Sequence, residues 1–213
     1  MTRSDTWRSV WNDRDDDRAD WNGYEATMPP QDYERFTAAT AELVRRHLRL
    51  GPDDVVGDLG CGTGRIAAHL APHVRAVHGF DYSETVLRVA RERRDLPNVE
   101  YHWADLNDLA FEPYGLTQAF SVGGFLYMDS EQAAVGLIRR LHDAGIGVAV
   151  LDIPDSRLTD TRDRAYDRSV YDHLAMDAER LTSAFPGAEV HRAELGLDYA
   201  NAAVRFNLYL PAS

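Results

Sequence analysis

Apolar residues follow two different spacings along most of the chain. Short continuous apolar runs, typical of buried strands, alternate with longer stretches in which apolar residues recur every three or four positions, as they do along helices. Such alternation predicts βαβ units, in which a parallel sheet carries helices on both faces. The pattern predicts strands at residues 54–60, 74–80, 98–104, 116–122 and 146–152 and helices at 31–49, 63–70, 83–94 and 130–142.

The last third of the chain departs from this alternation. Residues 155–185 are polar and helix-prone, and two strand-like runs follow at 188–199 and 201–210. The short break at Ala200–Asn201 predicts that these two runs form an antiparallel hairpin at the edge of the sheet. Together with the five alternating strands, the hairpin predicts a sheet of seven strands.

The N-terminal segment is rich in Trp and Asp and ends at two prolines, Pro29 and Pro30. We predict that residues 1–30 form a lid or cap and that residues 31–213 form one domain, with 155–185 as an insertion that caps the substrate. No apolar run approaches the roughly 18 residues that span a bilayer, and the N-terminus lacks the apolar core of a signal peptide. We therefore expect a cytoplasmic protein without a membrane partner.

Charge and residue usage exclude several kinds of chemistry. The chain has 213 residues and a net charge of −12, which repels phosphate backbones, so we expect no nucleic-acid partner. All 23 basic residues are arginine, which excludes P-loop and Schiff-base lysines. Cys61 is the single cysteine, so an internal disulfide and a cysteine-based metal cage are excluded as well.

A glycine-rich loop, DLGCGTG at residues 58–64, joins the first predicted strand to a helix. Glycines allow a sharp turn and the close approach of a ligand to the backbone, and a helix N-terminus offers free amides to an anionic group. The dinucleotide pattern G-x-G-x-x-G fails from Gly60, because its last position is Arg65. Counted from Gly62 the pattern ends at Ala67, a tolerated variant, but it then starts too late after the strand. We keep a dehydrogenase as a minor alternative.

Two further carboxylates follow the next two strands. Asp81 comes 23 residues after Asp58, and Asp105 comes 24 residues after Asp81. One strand, one helix and two short connections occupy about that length. The three carboxylates are therefore expected along one carboxyl edge of the sheet, where α/β proteins bind ligands. The alternative is structural: Asp81 would only cap the helix near Ser83, and Asp105 would belong to an Asp-rich loop.

The D-x-G-x-G-x-G loop with these two acidic residues resembles class I S-adenosylmethionine-dependent methyltransferases. The motifs cover roughly residues 50–155, and the strand pattern extends the resemblance to the C-terminus. It implies an α/β, Rossmann-like three-layer sandwich with strand order 3-2-1-4-5-7-6 and S-adenosylmethionine as the cofactor, with S-adenosylhomocysteine as its product. It also implies a role for each matching position. Asp81 fits the ribose, for example, because a carboxylate offers two acceptors to a pair of ribose hydroxyls. The implied cofactor residues are Asp58, Gly60, Cys61, Gly62 and Gly64 around the methionine moiety, Asp81 and Tyr82 at the ribose, Asp105 and Leu106 at the adenine, and Ser121 and Val122 near the amino group.

The acceptor side departs from the family pattern. Gly124 and Met128 stand where many small-molecule relatives carry an acidic residue or a histidine, and the Asn/Asp-Pro-Pro-Tyr/Phe run of adenine methyltransferases is absent. We therefore expect no metal cofactor and no metal-binding residues. Candidates for acid–base or positioning roles are His173, Tyr127 and Asp152, with His102 a weaker one on the third strand; Trp21 and Tyr24, with Tyr127, are the expected lid and substrate residues.

These features predict transfer of a methyl group to a hydroxyl or amine of a small molecule, mainly by positioning the acceptor in line. Three segments, WNGYE (21–25), LDIPD (151–155) and VRFNLYL (204–210), are similar to methyltransferases that tailor polysaccharides and natural products. A sugar or natural-product intermediate is the narrower expectation, with a monomer or homodimer as the assembly. The alternatives are a methyltransferase that modifies nucleic acid or ribosomes and a non-catalytic protein that binds S-adenosylmethionine.

Overall fold

The computed structural model describes residues 2–20, 29–158, 172–193 and 202–213. Its seven strands form one sheet in the order β3-β2-β1-β4-β5-β7-β6, parallel from β1 to β5, with β7 antiparallel to both β5 and β6. The strands are β1 (Val55–Leu59), β2 (Ala76–Asp81), β3 (Val99–Trp103), β4 (Gln118–Val122), β5 (Gly147–Pro154), β6 (Glu189–Arg192) and β7 (Arg205–Leu210). This topology confirms the predicted fold class.

Helices pack on both faces of the sheet. They are α1 (Arg3–Asn12), α2 (Asp16–Asp20), α3 (Pro30–His47), α4 (Arg65–Leu70), α5 (Glu84–Arg93), α6 (Glu131–Asp143) and α7 (Ala178–Ala184). One apolar cluster joins Phe80 to Leu137 and Ile138 of α6, and another joins Phe120 to Leu87 of α5. Because both faces are covered, every residue of β1 and β5 is buried. This explains why the strands are continuous apolar runs in the sequence.

Several element boundaries differ from the predicted ones. The helix after the glycine loop begins at Arg65 instead of residue 63, because Gly64 has a left-handed backbone with φ of +77°. The fifth strand continues past residue 152 to Pro154, since β7 pairs with it on both sides of a register shift between Val150 and Ile153. The predicted break at Ala200–Asn201 lies outside the described residues.

The N-terminal segment contains two helices that the sequence pattern had not predicted. A capping box between Thr2 and Asp5 begins α1. The α1 side chains Trp7 and Trp11 are buried in a cluster that includes Val86 of α5. The described part of this segment therefore packs against the domain. Across the described ranges, no helix combines the length and the apolar character that crossing a membrane requires.

Candidate functional site

The glycine-rich loop that follows β1 has little room for side chains. Gly60, Gly62 and Gly64 all have positive φ, at +80°, +53° and +77°. A Cβ on Gly60 would lie 2.8 Å from the Cα of Gly124, and one on Gly64 would overlap the Tyr101 ring. The loop backbone therefore requires glycine at these two positions.

Asp81 fixes the loop from the end of β2. Its Oδ2 accepts a hydrogen bond from the Gly62 amide at 3.0 Å, and its Oδ1 accepts one from the Ser83 amide at 2.9 Å. Burial raises the pKa of Asp81 to about 6, although these two amides act in the opposite direction. Ser83 itself caps α5. The capping role and a ligand-binding role are compatible, because each carboxylate oxygen has a second lone pair.

Asp58 brings a buried carboxyl group to the loop from within β1. The residue is 3% exposed, and its Oδ2 has no hydrogen-bond partner among the described residues. Burial raises its pKa well above the ordinary value, and the nearby Asp81 charge adds to the effect. A buried acceptor without a protein donor marks a place where a ligand donor fits. The pocket next to it is lined by Asp58, Gly60, Cys61, Thr63 and Val122 from the sheet side and by Tyr33, Phe36 and Thr37 from α3, with Arg65 and Ile66 from α4.

The Asp105 carboxylate is occupied on both oxygens. Its Oδ1 accepts from the backbone amide and the side-chain amide of Asn107, at 3.0 and 2.7 Å. Its Oδ2 accepts from Nη2 of Arg8 in α1 at 2.7 Å. The Arg8 guanidinium also lies over the rings of Tyr82 and Trp103, 5.5 and 5.8 Å from their centroids. The N-terminal helix therefore covers the predicted adenine end of the site, a contact that the sequence analysis missed.

An aromatic cluster brings together two of the predicted acid–base candidates. The His173 ring stacks on Trp7 with centroids 4.6 Å apart, and Tyr127 contacts His173 edge-on at 5.4 Å. Tyr127 also meets Trp7 at 5.0 Å and Trp11 at 5.8 Å. Neither tryptophan was a candidate in the sequence analysis. The spacing of four residues between them, directly after a capping box, is the signal that indicates a helix with one buried face.

The third candidate, Asp152, has a different environment. It is 2% exposed, has a φ of +65°, and forms a buried ion pair with Nη1 of Arg205 from β7. Asn207 accepts a hydrogen bond from its backbone amide at 3.0 Å. The positive φ coincides with the register shift between β5 and β7. Asp152 is thus held by the strand that pairs with β5 rather than by the aromatic cluster.

The remaining predicted residues have varied positions. Ser121 is buried, and its hydroxyl donates a hydrogen bond to the Leu59 carbonyl at 2.5 Å, which links β4 to the end of β1. Leu106 is buried in the apolar core. Nε2 of His102 lies 3.0 Å from Nδ1 of His78 on the neighbouring strand, so this ring contacts the sheet and does not reach the carboxyl edge. The predicted lid residues Trp21 and Tyr24 lie outside the described residues.

Parts of the chain are similar in sequence to known proteins. A family model described as a methyltransferase domain matches residues 56–145. The chain is 27% identical over 119 residues to an O-methyltransferase of Pyrenophora dematioidea, covering 54% of this chain and 44% of that protein. It is 30% identical over 127 residues to an O-methyltransferase of Penicillium expansum, covering 54% and 46%. The chain therefore spans about half the length of these curated relatives.

A solved structure shares the whole fold. The N-methyltransferase NodS from Bradyrhizobium japonicum, in complex with S-adenosylhomocysteine, matches with a TM-score of 0.64 and 16% identity, covering 97% of this chain and 96% of that one. This likeness concerns the arrangement of helices and strands. Taken together, the comparisons show that residues 56–145 are similar to a methyltransferase domain and that the whole chain shares its fold with a solved methyltransferase structure.

Proposed function

We propose that this protein transfers the methyl group of S-adenosylmethionine to a hydroxyl or amine of a small molecule. The observation that carries the proposal is the carboxyl edge of β1 and β2. There Oδ2 of Asp58 has no hydrogen-bond partner among the described residues, and the Asp81 carboxylate accepts from the Gly62 amide. These two groups flank a glycine loop in which larger side chains would clash with their neighbours. These groups fit the polar ends of the cofactor, since they supply acceptors for an ammonium group and for ribose hydroxyls.

Each residue has a defined task in this proposal. Asp81 accepts hydrogen bonds from the two neighbouring ribose hydroxyls, while its other lone pairs accept from the Gly62 amide of the loop and from the Ser83 amide at the start of α5. Asp58 faces the amino group, and Asp105 accepts from the adenine amine once Arg8 has moved away. The sulfonium supplies an already activated methyl group, so the protein's own contribution is to align the acceptor and to exclude water.

We place the acceptor beside the aromatic cluster of Trp7, Trp11, Tyr127 and His173. Stacked rings present flat apolar walls with a few polar atoms, which suits a sugar or another hydroxylated small molecule. The curated relatives named above are O-methyltransferases, which supports oxygen as the methylated atom. Within the cluster, His173 is the group best suited to accept a proton from an acceptor hydroxyl, and Tyr127 is suited to position that hydroxyl.

Calorimetric titration with S-adenosylhomocysteine tests the cofactor site. We expect micromolar binding by the unmodified protein and at least a tenfold loss in Asp81→Ala. Asp143→Ala is the matched control, because Asp143 is an exposed aspartate at the end of α6, where the chain enters β5 from the opposite edge of the sheet. Binding that is absent from the unmodified protein, or equal in both variants, contradicts the proposed site.

Methyl transfer itself is tested with labelled S-adenosylmethionine and pooled acceptors sorted by chemistry. We expect label in hydroxylated small molecules and none in RNA. His173→Gln should lower kcat with little change in the KM of the acceptor, because it removes a proton acceptor and keeps the ring stack partly filled. Label in RNA would favour the nucleic-acid alternative, and cofactor binding without transfer to any pool would favour a non-catalytic binding protein.

A further inference from the structure

Three metal-ligating side chains meet on the sheet, away from the glycine loop. His78 lies on β2, and Glu100 and His102 lie on β3. The two strands run parallel, with His78 opposite Glu100 and Phe80 opposite His102. Because alternate residues of a strand share a face, all three side chains project from the same side of the sheet. β3 is an edge strand, and the side chain of Glu100 is 71% exposed, so solvent reaches the cluster.

The distances within the cluster match a coordination site. Nδ1 of His78 lies 3.0 Å from Nε2 of His102, and Oε2 of Glu100 lies 3.8 and 3.7 Å from these two nitrogens. A point equidistant from three atoms with these separations lies about 2 Å from each, which is the length of zinc bonds to nitrogen and carboxylate oxygen. Two imidazoles and one carboxylate, with a fourth position open to water, form a common zinc ligand set.

We propose that His78, Glu100 and His102 bind a divalent transition-metal ion, with zinc the best fit to this geometry. The Tyr114 ring packs against both imidazoles, with centroids 5.2 Å from His78 and 4.7 Å from His102, and thereby limits their orientations. Burial also lowers the pKa of both imidazoles, which favours the unprotonated form that a metal needs. The other reading of the cluster is a hydrogen bond between the two histidines, which would need neither Glu100 nor a metal.

The position of the cluster indicates what such an ion would do. His78 precedes Asp81 by three residues in an extended strand, roughly 10 Å, so the ion would lie off the methyl-transfer site. It would instead fasten the edge strand β3 to β2, and β3 leads directly to Asp105. The proposed ion departs from the sequence-based expectation that the chain has no metal-binding residues, and it takes no part in methyl transfer.

Zinc titration of the full chain, without a polyhistidine tag and after stripping with EDTA, tests the site. We expect one zinc per chain with micromolar or tighter affinity by calorimetry. His102→Gln should weaken binding at least tenfold, and Glu100→Gln should weaken it measurably. His69→Gln is the matched control, because Nε2 of His69 also lies near a carboxylate oxygen, 3.0 Å from Glu34, so the variant should bind zinc like the unmodified protein.

Two further measurements separate metal binding from a folding defect. Saturating zinc should raise the Tm of the unmodified protein by about 5 °C and leave that of His102→Gln unchanged, while the variant still shows a cooperative transition in EDTA. Cobalt should give the intense visible bands of a four-coordinate ion in the unmodified protein alone. Absence of zinc binding, or equal binding by His102→Gln, would overturn the proposal and leave a histidine hydrogen bond. S-Adenosylhomocysteine binding should be the same with and without zinc.

Discussion

At the scale of single residues, the site is defined by carboxyl groups whose environments differ. Asp58 is buried, and one of its oxygens has no partner among the described residues. Asp81 accepts from the amides of Gly62 and Ser83, and Asp105 pairs with Arg8. The sequence spacing of these aspartates predicted that all three lie along one carboxyl edge of the sheet. It could not predict their partners, because Arg8 lies 97 positions away from Asp105 and only the folded N-terminal helix brings the two together.

The raised pKa of Asp81 predicts a pH dependence of cofactor binding. The pKa is about 6 in the free protein, above the ordinary value of 3.8. Above pH 7 the group is ionised, and in the proposed function it accepts hydrogen bonds from both ribose hydroxyls. As the pH falls through 6, the carboxylate takes up a proton and loses an acceptor. We expect the affinity for S-adenosylhomocysteine to drop towards tenfold per pH unit below 6, measured by calorimetry from pH 5 to pH 8.

Two variants show whether Asp81 causes that step. Asp81→Asn should bind weakly and lack the step near pH 6, because it has no group that titrates at this position. Asp143→Asn, exposed at the opposite edge of the sheet, should keep the step. A step of the same size in Asp81→Asn would assign the titration to another group, with Asp58 the next candidate.

At the scale of elements, α1 covers Asp105, the proposed adenine end of the site. The Arg8–Asp105 ion pair is partly exposed, with 30% and 16% of the two side chains accessible. In the proposed function the adenine amine takes the Asp105 oxygen that Arg8 occupies, so Arg8→Gln should tighten S-adenosylhomocysteine binding about two- to fivefold, the range of a partly exposed ion pair. The difference from the unmodified protein should shrink in 0.5 M salt, since salt screens the competing ion pair.

Arg3→Gln provides a control from the same helix. Arg3 pairs with Asp172 at 2.6 Å and donates to the carbonyls of Met128 and Asp129, so it helps to hold α1 without touching Asp105. Its substitution should leave the affinity within about twofold. Weaker binding by Arg8→Gln would instead mean that Arg8 stays in place and contacts the bound cofactor.

At the scale of the whole molecule, the sheet was predictable and the N-terminal packing was not. Continuous apolar runs and helical spacings are local signals, and they were enough to predict seven strands. The order of the strands came from the resemblance to class I methyltransferases, and the structure has that order. The segment Asp13–Asp20 is polar in the sequence, yet Asp20 is only 6% exposed. Its burial depends on arginines from α4 and from the end of α5, which no local pattern reveals.

Asp20 joins the N-terminal helices to the rest of the domain. Its carboxylate lies 2.8 Å from Arg65, 3.1 Å from Arg93 and 2.8 Å from Arg94. Burial alone would raise the pKa of Asp20, but hydrogen bonds from Arg94 and Thr63, together with the positive charges, lower it to about 2. The ionised form is therefore favoured by folding. The resulting stability is present above pH 4 and is lost as the pH falls from about 4 to 2.

This linkage predicts how the free energy of unfolding changes with acid. Urea unfolding at pH 7 should show Asp20→Asn destabilised by about 2–4 kcal/mol, because three arginines lose a buried partner. At pH 2 the gap between the two proteins should narrow by about 1–2 kcal/mol, after allowance for solvent screening. Asp16→Asn, which removes an exposed partner of Arg88, should change little at either pH. If Asp20→Asn unfolds like the unmodified protein at pH 7, the N-terminal helices do not share the cooperative unit of the domain. Arg8 would then lie over Asp105 in only part of the population, and the effect of Arg8→Gln on cofactor affinity should shrink in proportion.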